Sequence, residues 1–421
     1  VSAELGLEAV QFDFHAAFLH APNDVEMYVE CPPGYRPQLK GDVVLALKKV
    51  IYGMKQSAHR FYKLISGDFL KLGFKQSKSS HCLFVKCYGS ENRIALLVLH
   101  VDDGGYFAKD LKVIEKDLTM LRRKCKLDHE PMNWYVGLRI VKQDGSIGML
   151  CDAYIEQCAK RFGMDKMAPQ THPATVAPVK HEGESTCRKR FMELVGCLLY
   201  ISTACRPDIT AATNMLASHM ANPSQKHLTM AEGVLCYLLS TKSKGLKFNR
   251  TNVKGKSHLS KLRNMKLEGF FDSDFADDQS RKSRTGFVIY YNGNVVSWVS
   301  KLQSLCAQSV FEAETIAGNE AFKTIKFLRK IVADLSCGKE PMGIVLHGDN
   351  EKSIECAKTG VYGKRSKHFE VRLLNLSDGH QKRIIVLQHV PSMENPADLF
   401  TKIVKSNVFK HLVDRLVVQV A

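Results

Sequence analysis

Residues 99–105 have the sequence LHVDDGG and directly follow the apolar run IALLV at 94–98. An apolar run that ends in acidic residues and glycines predicts a buried strand that turns at its end. Side chains alternate between the two faces of a strand, so only one of Asp102 and Asp103 can point squarely at a given site. Taken alone, DDGG is also an ordinary hairpin-turn sequence.

Another acidic residue among apolar neighbours is Asp13, at the end of the strand-like stretch AVQFDF (9–14). Three carboxylates gathered at neighbouring strand ends repel one another and raise each other's pKa unless a divalent cation neutralises them. Mg²⁺ takes oxygen ligands and leaves positions open for phosphate groups, and two such ions can serve phosphoryl transfer. Asp13, Asp102 and Asp103 are therefore a candidate metal site, in which we expect Asp102 to be the stronger ligand and Asp103 the more marginal one.

The composition indicates a folded and strongly basic chain. Its 421 residues are 45% hydrophobic and carry a formal net charge of +17, which suits two or three cores and a polyanionic partner such as nucleic acid. No stretch approaches the roughly 20 apolar residues that span a bilayer, and the N-terminus lacks a signal-peptide pattern. We therefore expect no membrane association and no secretion. The 13 cysteines are predicted to be reduced core thiols.

Along the chain, the patterns divide into three regions. The first mixes strand-like and helical runs, an α+β pattern, and is followed at 168–185 by a segment rich in Pro, Thr, Ala and Ser that is the best linker candidate. From Arg188 to about Lys247 three packed helices are predicted, and a basic polar stretch at 249–266 separates them from the last block. The predicted domains are 1–168, 169–265 and 266–421.

The last block predicts the order strand, strand, strand, helix, strand, helix, strand, helix, which is the order of the ribonuclease H fold. Asn292-Gly293-Asn294 is a strong hairpin signal between its second and third strands, and the long helix is predicted from about Glu312 to Leu335. Acidic residues fall at the ends of these elements. Gathered together, four carboxylates suit two-metal hydrolysis of a phosphodiester by water; these are Asp272, Glu314, Asp349 and Asp398.

Several motifs resemble, in order and spacing, the reverse transcriptase and ribonuclease H region of copia-type retrotransposon Pol polyproteins. The resemblance covers nearly the whole chain and implies an α+β fold with a palm and thumb, a helical connection and an α/β ribonuclease H-like domain with a five-stranded mixed sheet. The motifs that carry it are VQFDFHAAFLHAPNDVEMYVECPPGY (10–35), LKKVIYGMKQSAHRFY (47–62), LLVLHVDD (96–103), WYVGLRIV (134–141), YIEQCAKRFGM (154–164), LVGCLLYISTACRPDI (194–209), SWVSKLQ (297–303) and ENPADLFTK (394–402).

The resemblance implies roles for individual residues. Asp13, Asp102 and Asp103 match the ligands of the two polymerase metals, and Phe18 matches the ring that excludes a ribose 2′-hydroxyl, although an ordinary core phenylalanine would look the same. Gly53, Lys55, Gln56 and Ser57 match the segment that lies against the incoming nucleotide and template, and His100 stands where the family usually has a tyrosine near the primer end. Two further departures are Ala58 for proline and His15-Ala16 for Lys-Thr.

In the last block the resemblance selects Asp272 over Asp274 and Glu314 over Glu312 as metal ligands, with two Mg²⁺ or Mn²⁺ ions expected at each active site. The segment KRSKHFEVR (364–372) matches a basic stretch, in which Lys367, His368 and Arg372 are weak candidates for hybrid binding and a solvated basic loop is the alternative.

Two functions follow from these features. The first is an RNA-directed DNA polymerase with ribonuclease H activity, with an RNA template, a DNA primer, their hybrid and dNTPs as partners, and other Pol or capsid-like products of the same element as further ones. The second is a decayed or domesticated remnant that binds nucleic acid without polymerising. Only twelve residues precede Asp13, so we expect the fingers subdomain to be missing and primer extension to be weak. The expected location is cytoplasmic, in a virus-like particle, or nuclear.

Overall fold

The computed structural model of the chain describes residues 1–35, 43–89, 92–180, 183, 187–276, 278, 280–360 and 370–420. Among these residues, no helix combines the length and apolar character that crossing a bilayer requires. Three larger sheets and a two-stranded one organise the structure, and the regions between them are filled by helices.

The first region is built on a six-stranded antiparallel sheet with the order β4-β5-β6-β7-β1-β8. The elements are α1 (Ser2–Leu5), β1 (Glu8–Phe14), a 3₁₀ helix (Ala17–His20), β2 (Tyr28–Glu30), β3 (Val44–Ala46), α2 (Ser57–Lys71), β4 (Lys75–Gln76), β5 (Leu83–Tyr88), β6 (Arg93–His100), β7 (Asp103–Ala108), α3 (Leu111–Arg122) and β8 (Leu127–Pro131). Residues 94–97 of β6 are buried, as their continuous apolar run predicts. This order places the hairpin of β6 and β7 directly beside β1.

The middle of the chain combines a second sheet with a helical block. Its elements are β9 (Trp134–Tyr135), β10 (Leu138–Gln143), β11 (Ser146–Leu150), α4 (Asp152–Phe162), α5 (Arg188–Ala204), a 3₁₀ helix (Pro207–Ile209), α6 (Thr210–Ala217), α7 (Gln225–Ser240), β12 (Lys244–Phe248) and α8 (His258–Asn264). The sheet order is β18-β12-β11-β10-β9, so the final strand, β18 (Val418–Gln419), pairs with the middle of the chain.

The last region contains a five-stranded sheet with the order β15-β14-β13-β16-β17. The pairs among β13, β14 and β15 are antiparallel and those among β13, β16 and β17 are parallel, so the predicted mixed sheet is confirmed. The elements are β13 (Leu267–Asp274), β14 (Arg284–Tyr291), β15 (Asn294–Leu302), α9 (Val310–Leu335), β16 (Ile344–Gly348), α10 (Glu351–Thr359), α11 (Glu370–Gln381), β17 (Ile385–His389), 3₁₀ helices (Ser392–Glu394 and Pro396–Phe400) and α12 (Ser406–Val413).

Local sequence explains several of these boundaries. Asn292 and Gly293 both have positive φ, 53° and 75°, as a two-residue hairpin requires. The Ser309 side chain accepts a hydrogen bond from the backbone N–H of Glu312 and so begins α9, while Asn350 does the same for α10. The hairpin fixes one edge of the sheet. The two caps fix where α9 and α10 begin, and Glu314 and Asp349 lie next to these helix starts.

Hydrophobic cores join the regions. One core lies within the first region, around residues such as Phe61 and Phe84. A second packs one face of the last sheet against α9, with Phe271 and Phe322 among its members. A third joins the opposite face of that sheet to α5, α6, α7 and α12. The helical block and the last sheet therefore share one core.

Two secondary-structure expectations were wrong. Residues 244–248, assigned to the helical block, form β12, because they pair with β11 and β18, which are distant in sequence. The polar stretch 249–266, for which no element was predicted, contains the helix α8. Between the last two strands of the sheet one helix was predicted, whereas α10 and α11 both occur there. The cysteine expectation holds in part, since Cys82, Cys87, Cys306 and Cys337 are exposed.

Candidate active sites

The first candidate site lies at the hairpin of β6 and β7. His100 and Asp103 form the last cross-strand pair, and Val101 and Asp102 make the two-residue turn between them. Val101 has φ 59°, a left-handed conformation that is unfavourable for a β-branched residue. The backbone N–H of Phe14 donates to the carbonyl of Asp102 at 3.3 Å, which ties the turn to the end of β1.

Strand register aligns three carboxylates across this sheet. Asp13 on β1 lies directly opposite Asp103 on β7 and directly opposite Asp128 on β8. Directly opposed residues project from the same face, so Asp103, Asp13 and Asp128 form a row, which we call the palm site. Burial, and then the negative charges of Asp13 and Asp102, raise the pKa of Asp103.

A cavity of about 250 Å³ opens at the palm site, lined by its three carboxylates together with Trp134 and Tyr135. The hydroxyl of Tyr135 is buried without a hydrogen-bond partner, and burial followed by the charge of Asp103 raises its pKa to about 12. Asp102 is half-buried in the turn and does not line this cavity. The structure therefore brings Asp13 and Asp103 together and leaves Asp102 at the margin, whereas Asp102 was expected to be the stronger ligand.

From the sequence, Gly104 was explained as part of a turn. In the structure it has a packing role in this site. A Cβ atom there would lie 2.0 Å from Cζ of Phe12, so only glycine leaves room for that ring beneath the hairpin. The close approach of β7 to β1 places Asp103 opposite Asp13.

Asp128 was not among the predicted site residues. Its carboxylate is 2.6 Å from Nε2 of His15, and a hydrogen bond from that ring lowers the pKa of Asp128. No element was predicted at residues 126–131, and only the pairing with β1 shows that Asp128 joins the acidic row.

The other predicted polymerase residues lie on the segment between β1 and α2. The Phe18 ring is half-buried, 4.6 Å from that of Tyr52 and 6.3 Å from that of Phe61, as a ring packed against the core would be. Gly53 has φ 93° in the loop before α2. Lys55 in the same loop is exposed, and so is His100, which lies elsewhere, at the end of β6.

Gln56 and Ser57, in contrast, are held by the protein. Nε2 of Gln56 donates to Sδ of Met27 at 3.2 Å, and the Ser57 hydroxyl donates to the carbonyl of Ile51. Ser57 is buried at the start of α2. Its present contacts make it part of the helix entry.

The second candidate site gathers carboxylates from distant parts of the last region. Asp272 lies on β13, Asp349 follows the neighbouring strand β16, and Asp398 lies on the 3₁₀ helix Pro396–Phe400. One oxygen from each lies within 4.8 Å of the others. Among the described residues, this is the only group of three potential metal ligands that lie so close together. Asp272 and Asp398 are 2% and 5% exposed.

Glu314 completes this group, which we call the C-terminal cluster. It is 3% exposed on α9, and its Oε1 accepts hydrogen bonds from the backbone N–H and the hydroxyl of Ser273 at 3.2 and 2.9 Å. Burial, and then the charges of Asp272 and Asp349, raise its pKa well above the ordinary value. Glu312 instead accepts from the N–H of Gln308 at 2.8 Å and belongs to the helix start.

Three hydroxyl and ammonium groups hold the cluster in place. Thr401 donates its hydroxyl to Asp272, and Ser392 donates to Oδ2 of Asp349 at 2.7 Å. The ammonium of Lys402 lies 3.1 Å from Oδ2 of Asp398 and 3.7 Å from Oδ2 of Asp272.

Gly286 on β14 allows the helix that carries Asp398 to approach the sheet. A Cβ atom at this position would lie 2.6 Å from Cγ2 of Thr401 and 3.0 Å from the carbonyl oxygen of Ala397. Gly286 is also the cross-strand partner of Asp272. The missing side chain therefore lets Asp398 and Thr401 reach Asp272.

The electrostatics of the cluster fit a divalent cation. Burial, and then the charge of Asp272, raise the pKa of Asp398 to about 7, and burial raises that of Asp272 as well. Oδ1 of Asp398 and Oε2 of Glu314 are buried without a hydrogen-bond partner. Buried carboxylate oxygens without a hydrogen-bond partner are suitable ligands for a hard cation such as Mg²⁺ or Mn²⁺.

The predicted hybrid-binding residues are only partly described. Lys367 and His368 lie outside the described residues. Arg372, near the start of α11, lines a cavity of about 420 Å³ together with Lys301 and Lys323. Arg372 thus lies near other cations on the last region.

Comparisons with known proteins find related sequences over nearly the whole chain. Residues 1–176 match the family described as reverse transcriptase (RNA-dependent DNA polymerase). The chain is 30% identical over 423 residues to the retrovirus-related Pol polyprotein from transposon TNT 1-94 of Nicotiana tabacum, covering 97% of this chain and 31% of the relative. It is 25% identical over 411 residues to the one from transposon RE1 of Arabidopsis thaliana, covering 96% and 27%. The chain thus spans about 30% of the length of these relatives.

Among solved structures, the fold is similar to that of the foamy viral protease-reverse transcriptase in complex with an RNA/DNA hybrid. The TM-score is 0.53 at 10% sequence identity, with 95% of this chain and 46% of that chain covered. At this identity the likeness concerns the fold alone. It confirms the predicted α+β architecture across nearly the whole chain.

Proposed function

We propose, on the premise that residues 1–176 are a reverse transcriptase domain and that nearly the whole chain is homologous to transposon Pol polyproteins, that this protein is an RNA-directed DNA polymerase with a ribonuclease H. The observation that carries the proposal is the C-terminal cluster, in which Asp272, Asp349 and Asp398 meet at one end of a ribonuclease H-like sheet and Glu314 of α9 is close enough to interact with Asp272 and Asp349. The palm site, on a separate sheet, supplies the polymerase half.

At the C-terminal cluster, Asp272, Glu314, Asp349 and Asp398 would hold the divalent ions. A bound Mg²⁺ or Mn²⁺ pair would activate water and stabilise charge on a phosphodiester during hydrolysis. The chain's own contribution is to fix the ligands: Ser273 orients Glu314, Ser392 orients Asp349, and Thr401 orients Asp272. Asp272 and Glu314 are also buried, which keeps bulk water away from these two ligands.

At the palm site, Asp13 and Asp103 would hold the metals for nucleotide transfer, with Asp102 beside them. The substrates proposed are an RNA template, a DNA primer and dNTPs, and the basic surface of the chain suits phosphate contacts that carry no sequence information. Other products of the same element are proposed partners, and a cytoplasmic particle or the nucleus is the proposed location.

The test of the hydrolase half is cleavage of a hybrid whose RNA strand is labelled. We expect cutting of the RNA strand with Mg²⁺ or Mn²⁺, none with chelator, and a loss of at least about 10²-fold for Asp349→Asn, since removing a ligand removes one metal. Glu355→Gln, an exposed change on α10, is the matched control. Binding of the hybrid without cleavage under both metals would contradict this half.

A second candidate function, nucleic-acid binding without polymerisation, is favoured by the palm site itself. There, Asp102 lies outside the cavity that Asp13 and Asp103 line. Primer extension on an RNA template separates the two functions. Extension that depends on Asp13 supports the polymerase, whereas tight primer-template binding with no extension supports the binding function.

A further inference from the structure

Lys402 enters the C-terminal cluster from the same short segment that supplies one of its carboxylates. It lies four residues after Asp398, and its backbone N–H donates to the Asp398 carbonyl at 3.2 Å. The preceding residue, Thr401, donates its hydroxyl to Asp272. Residues 398–402 therefore bring a carboxylate, a hydroxyl and an ammonium group to Asp272 together.

The Lys402 ammonium is positioned between two of the carboxylates. It is 3.1 Å from Oδ2 of Asp398 and 3.7 Å from Oδ2 of Asp272, while its side chain is 38% exposed. The lysine thus reaches the acids from the solvent side, whereas the carboxylates themselves are almost fully buried. Among the described residues, Lys402 is the only cation in salt-bridge contact with the cluster.

One ammonium does not satisfy four carboxylates. Oδ1 of Asp398 and Oε2 of Glu314 are buried and have no hydrogen-bond partner, although the carboxyl groups to which they belong are 95% and 97% buried. The cluster therefore retains ligand atoms for a divalent ion while Lys402 is in place. The same Asp272 and Asp398 that would bind the ion also bind the lysine.

We propose that Lys402 is a resident counter-ion that competes with a divalent cation for Asp272 and Asp398. This inference rests on the proposed metal-dependent function of the cluster. Without metal, the ammonium holds the buried acids together. When a divalent ion binds, Lys402 shares or gives up its contacts with those acids, because two cations near the same oxygens repel each other. Lys402 is a positioning residue that lowers the affinity of the cluster for metal.

The test is a calorimetric titration of the full chain with Mn²⁺, used alone as the probe. We expect Lys402→Met to bind Mn²⁺ about tenfold or more tightly than the wild type, because a competing charge next to the ligands is gone. Lys402→Arg keeps the charge and should bind within about threefold of the wild type. Lys405→Met removes an equal charge from an exposed position nearby and is the matched control.

Thermal unfolding supplies a second readout. In chelator, Lys402→Met should unfold at a lower temperature than the wild type, and the rise in this temperature on adding Mn²⁺ should be larger than for the wild type. A lysine with a purely structural role would lower the first temperature without tightening Mn²⁺ binding.

The outcomes are distinct. Equal or weaker Mn²⁺ binding by Lys402→Met, or tenfold tighter binding by Lys402→Arg, overturns the competition while leaving the proposed function intact. If neither the wild type nor Lys402→Met binds Mn²⁺, the metal-dependent hydrolase and the inference fall together. If only Lys402→Met binds, the competition is supported in its strongest form.

Discussion

At the palm site, the carboxylates of Asp13 and Asp103 are exposed on neighbouring strands, whereas at the C-terminal cluster Asp272 and Asp398 are at least 95% buried. The cluster has its own cation in Lys402, and hydroxyl groups orient its acids. The palm site has a histidine against one acid and otherwise faces an open cavity. The C-terminal cluster is organised by the protein alone, and the palm site depends on what enters its cavity.

The largest expected effect is a crossed loss of activity. Asp272→Asn should reduce hybrid cleavage at least about 10²-fold and leave primer extension within about twofold, while Asp13→Asn should do the reverse, because each change removes a ligand at one site only. Parallel cleavage and extension assays on the same preparations measure this. Loss of both activities in either variant would show that the sites do not act separately.

The next effect is a pH dependence confined to the buried cluster. The raised pKa of Asp398, about 7 against an ordinary 3.8, means that the folded protein keeps a proton that the unfolded chain loses at lower pH. The free energy of unfolding should therefore fall as pH rises from about 4 to 7 in chelator, and then level off. Over this range the free energy of unfolding should fall by on the order of 2–4 kcal/mol.

Asp398→Asn should remove the part of that fall that Asp398 causes, while Asp272 and Glu314, whose pKa values are also raised by burial, keep theirs. The variant is therefore expected to be more stable than the wild type at pH 8 in chelator and similar at pH 4. Urea unfolding at both pH values measures the difference. Asp13→Asn, at the exposed site, is the matched comparison and should change the profile little. A wild-type curve that rises between pH 4 and 7 relative to Asp398→Asn would contradict the burial argument.

A smaller effect concerns the strained turn of the palm hairpin. Val101→Gly should raise the free energy of unfolding by about 0.5–1 kcal/mol, since a β-branched residue at φ 59° is unfavourable and glycine is not. Val141→Gly, in the regularly paired strand β10, is the control and should lower the free energy of unfolding by a similar amount. Destabilisation by both changes would mean that the turn is not strained.

The smallest effect is expected for the ion pair of the palm site. His15→Ala removes the partner of Asp128, yet both side chains are exposed, so the midpoint of urea unfolding should hardly change. The pKa of Asp128, which His15 lowers, should instead rise toward its ordinary value, and carbon-detected NMR titration of the carboxyl group reports it. An unchanged pKa would show that the pair does not form in solution.

Sequence reasoning reached the elements whose patterns are local. The apolar run of β6, the Asn-Gly hairpin of β14 and β15, and the long helix α9 all follow from residues that are close in the chain. The strand β12 and the acidic row of the palm site depend on pairing between distant segments, which no local pattern specifies. The helix α11 was missed because its apolar residues, including Leu373 and Leu376, do not recur with a clear helical period.

The same distinction applies to the sites. The four acids of the cluster were predicted from acidic residues at element ends, and the family resemblance decided for Asp272 over Asp274 and for Glu314 over Glu312. The structure gathers Asp272, Asp349 and Asp398, and Glu314 lies close enough for the charges of Asp272 and Asp349 to raise its pKa. Lys402 was overlooked, although its spacing of four from Asp398 is visible in the sequence, because a lysine in a basic chain carries little information by itself. Only the approach that Gly286 permits shows which lysine reaches the acids.

The strand β18 has a consequence for how the protein could be divided. It hydrogen-bonds to β12, and the side chain of Val420 packs where Gly148 of β11 has no side chain. A proteolytic cut in the segment 168–180 would therefore leave two fragments still joined by a continuous sheet and a shared core. We expect such fragments to co-elute on gel filtration, so that processing there would nick the chain without separating the two fragments.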